Sequence, residues 1–443
     1  MEAIAIFDIG KTNKKLYLFD KQMALVESKS QVIDEVVDEL GMPCDDLSAI
    51  EEWIRSNTAE QLRRKDLQLV GMDITTYGAS MVYLDGDGKR TGPFLNYLTA
   101  FPKDVLRIFT DHHEEIESVC VDTCSPFLGM LNAGMQIYWL KLTHPEIFAR
   151  IDQTLFLPQY LSYLFTGQKS NDYASLGCHT MLWDYKRRQF HRWVEKEGLD
   201  TLIPVSNLNH HIYSTTVDSH RLIVGSGLHD STAALLPYYI NQKEPFLLLS
   251  TGTWSICFNP FDDSPLTKEQ LQHDCLCYML PDGNSVKASR LFLGKEYAFQ
   301  LDQLSDQFGC ECSVIESIQF NLETFEECKR DDSIHFPLQH ITHVYSDRPT
   351  DIKKSIEELH QAYHRLMYEL VLLQMQAIDR VSNNKKPNKG FIVGGFAKNQ
   401  IFIHMLNDMM PEIDWVSSDE NVGSAFGLGM KLWDHINGYI VNE

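Results

Sequence analysis

The segment Ile4-Ala5-Ile6-Phe7-Asp8-Ile9-Gly10-Lys11-Thr12-Asn13-Lys14-Lys15-Leu16-Tyr17-Leu18-Phe19 decides the fold. Two apolar runs flank a turn of Gly, Lys, Thr and Asn, a pattern that predicts a β-hairpin. A second stretch repeats the design: Phe246-Leu247-Leu248-Leu249-Ser250-Thr251-Gly252-Thr253-Trp254-Ser255-Ile256-Cys257-Phe258. Such turns present backbone N–H groups and hydroxyls, and their glycines let a phosphate approach the main chain. Two hairpins of this kind, each early in one half of the chain, predict two related domains that grip one polyphosphate.

The bulk properties agree with that reading. At 443 residues the chain exceeds one ordinary core, which predicts two domains. Hydrophobic content of 44% and charged content of 23% describe a soluble globular protein. No apolar run reaches the roughly 18 residues that span a membrane. Met1-Glu2-Ala3 leads straight into a strand without a basic n-region, so no secretory signal and a cytoplasmic location are expected. The formal net charge of -22 weighs against nucleic-acid or anionic-membrane partners. It leaves a nucleotide open, because local lysines and backbone dipoles hold phosphates inside an acidic protein. The ten cysteines include no paired CxxC arrangement, so free thiols are expected rather than a zinc site.

Further along, Leu67–Asp73 and Ser80–Leu84 read as strands, the latter ending in the turn Asp85-Gly86-Asp87-Gly88. Helices are expected over 127–142 and 158–166, and 183–198 is amphipathic. Leu222–Leu236 reads as a strand, a glycine turn and a helix that starts near Asp230. Pro237 and the polar residues after it suggest a connection, which places the domain boundary near 240–245. The second half should hold a long helix from about Ile352 to Ser382, a basic loop 383–389, a buried strand Gly390–Val393, a helix from Lys398 to Met410, and a last helix from Gly423 to His435. The small residues Gly423, Ser424, Ala425, Gly427 and Gly429 would let that helix pack closely.

Four features carry candidate chemistry. Asp8, at a strand end beside Gly10, Lys11, Thr12, Asn13 and Lys15, suits a hydrated Mg²⁺ and the phosphates it bridges. The alternative is an ordinary hairpin turn with exposed lysines. Thr251-Gly252-Thr253 is a neutral turn whose hydroxyls and N–H groups could contact a phosphate. Gly394-Gly395-Phe396-Ala397-Lys398-Asn399 follows a buried strand and opens a helix, a position that favours ligand approach or simply a turn. His229-Asp230 follows Gly225 and Gly227. There an aspartate is either a helix cap or a general base for a hydroxyl nucleophile.

Taken in order, these four features resemble the FGGY carbohydrate kinases, within the larger actin/hexokinase-like group of duplicated-domain ATPases. The resemblance runs from Ile4 to about Leu432. It implies an α/β fold of two duplicated actin/hexokinase-like (ribonuclease H-like) domains with a central cleft. Residues 1–242 would bind sugar and phosphate and carry the catalytic aspartate. Residues 243–443 would bind ATP. By resemblance, Asp8 would hold Mg²⁺ through water, while Gly10, Lys11, Thr12, Asn13 and Lys15 would face the ATP phosphates. Asp230 matches the general base. Gly252 and Thr253 match the second phosphate contact, and Gly394, Gly395 and Asn399 match the adenosine-side motif.

Thr76-Tyr77-Gly78-Ala79-Ser80-Met81-Val82-Tyr83-Leu84-Asp85, Gly227-Leu228-His229-Asp230-Ser231 and Ser250-Thr251-Gly252-Thr253-Trp254-Ser255 look like segments of rhamnulokinase-like members. On that resemblance Tyr77, Gly78 and His229 contact the sugar, and the expected activity is ATP- and Mg²⁺-dependent phosphorylation of a ketose, L-rhamnulose or L-fuculose. The alternatives are a ketopentose kinase of the xylulose or ribulose type and a non-catalytic sugar- and nucleotide-binding regulator. Dimers are common in the family. The chain departs from the family pattern at Lys11, Gln136 and Phe396.

Overall fold

The computed structural model describes residues 1–205, 209–331, 335–341, 356–382, 386–418 and 423–440. Strands β1 (Glu2–Ile9) and β2 (Asn13–Asp20) form the first hairpin, followed by β3 (Leu25–Val32), helix α1 (Leu47–Leu62) and β4 (Gln68–Thr76). Helix α2 (Leu157–Thr166), β5 (Ile212–Val217), β6 (His220–Gly225), β7 (Leu228–His229) and α3 (Asp230–Asn241) follow. The sheet order is β5-β6-β4-β1-β2-β3, with β7 also paired to β4. β1 is antiparallel to β2 and parallel to β4, and β7 is parallel to β4.

Both faces of β1 are buried, which is why its sequence is a continuous apolar run rather than an alternation. Ala3, Ala5, Phe7 and Ile9 pack on one face with Trp53 and Ile54 of α1 and Leu161 of α2. Ile4 and Ile6 pack on the other with Ala233 and Leu236 of α3 and with Leu428, Leu432 and Trp433 of the C-terminal helix, Gly423–Ile440.

The second sheet holds β8 (Leu247–Thr251), β9 (Ser255–Asn259), β10 (Cys275–Met279) and β11 (Ser285–Leu291). After these come α4 (Leu293–Phe308), α5 (Cys312–Glu316), α6 (Leu359–Ser382), β12 (Lys389–Gly394), α7 (Gln400–Met409) and β13 (Asp414–Ser418). Its order is β10-β11-β9-β8-β12-β13. Here β8 is antiparallel to β9 and parallel to β12. The layout around β8 repeats the one around β1. Among the described residues no helix is long and apolar enough to cross a membrane.

The chain forms two compact units. One comprises Met1–Asn241, Cys277–Ser285 and Val422–Glu443; the other comprises Gln242–Leu276 and Val286–Asn421. A single division at 242/243 would assign the C-terminal helix to the second unit, yet it packs with the first. The second face of β1 needs an apolar layer, and Leu428, Leu432 and Trp433 complete it.

Other local expectations shift as well. Residues 183–198 form a two-stranded hairpin, Trp183–Asp184 with Gln189–Phe190, and then the short helix Arg192–Lys196. Pro237 lies inside α3 rather than in a connection. The helix bears the lost N–H bond because Ala233 and Leu236 bury it in the second core. The long helix begins at Leu359. Residues 352–355, where its start was expected, and 383–385 of the basic loop lie outside the described residues.

Candidate active site

In the first unit, three parallel strands end side by side. The registers Asp8↔Thr75 and Ile9↔Thr76 join β1 to β4, and Leu228↔Thr75 and His229↔Thr76 join β7 to β4. Asp8, the Tyr77-Gly78 pair and His229-Asp230 therefore emerge along one edge, the carboxyl ends of parallel strands where α/β sheets bind ligands.

Gly78 sits directly against His229: a Cβ there would come within 2.9 Å of His229 Nε2 and of Cys178 Sγ. His229 Nε2 lies 3.1 Å from Asp230 Oδ1 and 3.1 Å from Cys178 Sγ, and the imidazole stacks on Tyr278. Burial pushes the His229 pKa down to about 3, so the ring is neutral. His229 Nδ1 is buried without a hydrogen-bond partner. The ring thus carries its proton on Nε2, because an orphaned acceptor costs less than an orphaned N–H.

Asp230 opens α3, and Ser231 N–H donates to its Oδ1 at 2.6 Å. Its side chain keeps 37% of its surface exposed, leaving room for a ligand. The recess nonetheless withdraws it from bulk water, and its pKa rises to about 6. Asp8 also rises to about 6, through burial first and then the charge of Asp230, opposed by Lys15 and by a hydrogen bond from Ser424 Oγ at 3.3 Å. Ser424 comes from the start of the C-terminal helix.

The lysines of the first turn divide. Lys11 Nζ lies 2.7 Å from Asp45 Oδ2 and 2.9 Å from Glu35 Oε1. Burial opposes its charge, but these two hydrogen bonds outweigh burial and raise its pKa. The Tyr77 hydroxyl donates to the same Asp45 oxygen at 2.7 Å, and its ring meets Tyr97 at 5.7 Å. Lys11 also lies over the Tyr97 ring. Buried Lys14 donates to the Lys11 carbonyl at 2.9 Å. The side chains of Thr12, Asn13 and Lys15 make no hydrogen bond to the protein among the described residues.

Asp73, Asp45 and Glu35 were not singled out by sequence reasoning. Asp73 is fully buried in β4. Its Oδ1 accepts from Gly227 N–H at 3.1 Å and its Oδ2 from His210 Nε2 at 2.9 Å, so it fixes the turn that delivers His229-Asp230. Gly225 is required there, since a Cβ would fall 1.9 Å from Asp73 Oδ2. The available signal was a carboxylate inside an otherwise apolar strand. Asp45 and Glu35 offered none. Gln136 is likewise buried, and its Nε2 donates to the Ala79 and Met130 carbonyls.

In the second unit, Thr251 pairs with Gly394 across the parallel strands β8 and β12. Gly394 has φ +86°, and a Cβ there would fall 1.8 Å from Thr251 O, so only glycine fits. Thr251 Oγ1 accepts from Phe396 N–H at 3.0 Å and donates to Val393 O. Gly252, Thr253, Gly395 and Asn399 line a cavity of about 480 Å³, walled by Tyr297 and Phe396, whose rings meet edge to face at 5.2 Å. That size is typical of a small-molecule site. Thr253 is exposed and has no side-chain partner among the described residues. Asn399 is committed: its Oδ1 caps α7 through Phe402 N–H at 3.0 Å, and its Nδ2 donates to the Tyr363 hydroxyl at 2.9 Å.

Elsewhere, Glu114, Asp122 and His191 bring ligand atoms within 4.8 Å of one another. His191 Nδ1 accepts from Trp193 N–H, which leaves hydrogen on Nε2, so the nitrogen that faces Asp122 at 3.5 Å is a protonated one and makes no hydrogen bond there.

Residues 3–236 match the family model described as "FGGY family of carbohydrate kinases, N-terminal domain", and residues 243–437 match "Carbohydrate kinase FGGY, C-terminal domain". The chain is 22% identical over 257 residues to a rhamnulokinase of Halalkalibacterium halodurans, covering 56% of this chain and 52% of that protein. It is 27% identical over 242 residues to a rhamnulokinase of Yersinia pestis (strain Pestoides F), covering 51% and 47%. The chain thus matches about half the length of these curated relatives. Among solved structures, a carbohydrate kinase from Novosphingobium aromaticivorans superposes with a TM-score of 0.79 at 21% identity, over 98% of this chain and 91% of that one. A ligand-bound xylulose kinase from Lactobacillus acidophilus gives 0.74 at 12% identity over 99% and 90%. A Plasmodium falciparum glycerol kinase with ADP gives 0.73 at 14% identity over 99% and 92%. These likenesses show the shared two-domain α/β fold. With both halves matched, the chain belongs to the FGGY family of carbohydrate kinases.

Proposed function

We propose that the chain transfers the γ-phosphoryl group of ATP to a hydroxyl of a ketose, with L-rhamnulose or L-fuculose as the leading substrates and Asp230 as general base. The observation that carries this reading is the edge where Asp230, His229, Gly78 and Asp8 emerge together. A carboxylate with a pKa of about 6 is mostly ionised at neutral pH, yet basic enough to accept a hydroxyl proton as the oxygen attacks. The new bond forms between that oxygen and the γ-phosphorus. The bond from phosphorus to the β-bridging oxygen breaks, and ADP leaves with the electron pair.

The neutral His229 shares its Nε2–H with Cys178 Sγ and sets its ring edge 3.1 Å from Asp230 Oδ1, which walls the carboxylate on one side. Thr12, Asn13, Lys15 and Thr253 have uncommitted side chains and are the phosphate contacts we favour. Lys11, held by Asp45 and Glu35, supports the Tyr77-Tyr97 wall on the acceptor side instead. The Asp230 charge adds to the cost of ionising Asp8, with Lys15 as the nearby cation, an arrangement that fits a divalent ion. Asp8 would hold Mg²⁺ through water, and the ion when bound neutralises polyphosphate charge.

The curated rhamnulokinase relatives support the choice of a 6-deoxyketohexose. The test is ADP release by the full chain over a panel of L-rhamnulose, L-fuculose, D-xylulose, L-ribulose and their aldoses. Stimulation by a 6-deoxyketohexose above all others is expected. Stimulation only by the pentuloses would move the substrate class, and no stimulation by any sugar would sink the kinase reading.

A further inference from the structure

The cavity of the second unit contains a directional hydrogen-bond relay that ends on Glu316. Asn399 Nδ2 donates to the Tyr363 hydroxyl at 2.9 Å. The Tyr363 and Tyr297 hydroxyls are 3.0 Å apart, and the Tyr297 hydroxyl lies 3.1 Å from Glu316 Oε1. A carboxylate only accepts, so Tyr297 spends its single proton on Glu316. Tyr363 must then be the donor to Tyr297, and the amide of Asn399 the donor to Tyr363. Burial pushes both phenols up, which keeps them protonated.

Every proton in the relay points toward Glu316. Its Oε2 has no protein partner among the described residues, and the residue lines the cavity with Thr253 and Phe396. The end of the wall offered to a ligand is therefore an acceptor, while the Asn399 amide is engaged by Phe402 N–H at Oδ1 and by the Tyr363 hydroxyl and Met367 Sδ at Nδ2.

Building on the reading of this cavity as the nucleotide site, we infer that Glu316, positioned by Tyr297, selects a purine carrying an exocyclic amine at its 6-position. With Oε1 engaged by Tyr297, Glu316 offers one oxygen, which matches the single exocyclic amine of adenine. At the 6-position hypoxanthine and guanine present an oxo group, an acceptor facing an acceptor, and their N1–H lies one ring atom away from the place of adenine's amine. Guanine's paired N1–H and 2-amino donors ask for both carboxylate oxygens at once. Lys398, also on the cavity lining, is the donor that would favour a 6-oxo base, so it serves as the control.

The experiment is calorimetric titration of the full chain with ADP, IDP and GDP, which requires no acceptor sugar. Wild type should bind ADP about tenfold or more tightly than IDP or GDP, the scale of one charge-assisted hydrogen bond. Glu316→Gln should narrow that ratio to within about threefold. Lys398→Met should leave it in place, and Tyr297→Phe, which frees Oε1, should gain GDP affinity. Glu316 is exposed at the end of a short helix, so its substitution should not disturb folding. Equal affinity for ADP and IDP in wild type, or an unchanged ratio in Glu316→Gln, overturns the base selection while the nucleotide site stands. Failure of all three nucleotides to bind overturns both.

Discussion

The turn after β1 and the turn after β8 occupy equivalent places: each closes an antiparallel hairpin whose first strand runs parallel to a neighbour on its other side. Their chemistry differs. The first edge carries two carboxylates with pKa values near 6, Lys15 acting on Asp8 through its charge alone, and Lys11 paired with Asp45. The second turn is built of threonine and glycine, and its cavity is walled by aromatic rings. A shared backbone design supplies N–H groups and close approach in both places, and side chains alone divide the labour. The charged edge suits proton and metal chemistry, whereas the neutral edge suits a phosphate clamp and a stacked base.

The largest test of that division is Asp230→Asn. Turnover should fall roughly 10³-fold, within the range for loss of a general base, while ADP binding persists. Near-normal turnover would remove catalysis from the first edge. Gly394→Ala attacks the second edge, where φ is +86° and a Cβ has no space. It should cost about 2–4 kcal/mol in denaturant unfolding and abolish ADP binding, with the first unit's fold retained by circular dichroism. Wild-type ADP affinity in that variant would break the assignment of the nucleotide to this turn.

The pH profile sharpens the comparison further. If Asp230 is the base, kcat/KM should drop about tenfold from pH 7 to pH 5 as the group protonates near pH 6. If the neutral edge holds the nucleotide, ADP affinity should change much less over that range. The stability signs run oppositely for the two neighbours. Asp230, with its pKa raised on folding, favours the folded state below pH 4, and this contribution is lost as the pH rises through 6. His229, with its pKa lowered on folding, costs stability as the pH falls from 6.5 toward 3. Asp230→Asn should therefore melt slightly higher than wild type at pH 7, a shift that differential scanning calorimetry reads. The smallest effect separates the lysines: Lys15→Met should raise the KM for ATP about tenfold. Lys11→Met should leave it within about twofold and act on the acceptor KM instead. Equal effects on ATP would return Lys11 to the phosphates.

Much of the candidate site was legible because it sits in short motifs. Asp8, Gly10, His229-Asp230, Gly252-Thr253 and Gly394-Gly395 each lie at a strand end, and strand ends are readable from apolar runs stopping at glycine. The partners of those motifs were not. Asp45 and Glu35 reach Lys11 from 34 and 24 residues away, and Asp73 meets Gly227 from 154 residues away. No local pattern encodes such pairings. Lys15 and the committed Lys11 look identical in Lys11-Thr12-Asn13-Lys14-Lys15 and differ only in what stands across from them.

By itself the sequence determined two hairpins, their glycine turns and the order of the motifs, because each rests on interactions among near neighbours in the chain. Tertiary structure alone decided the rest: that Lys11 is spent on Asp45 and Glu35, that Asn399 caps a helix and feeds a relay ending on Glu316, and that the last helix returns to the first unit. The physical reason is common to all three. A buried apolar face must be covered, and a buried polar group must find a partner, by whatever part of the chain the fold brings within reach.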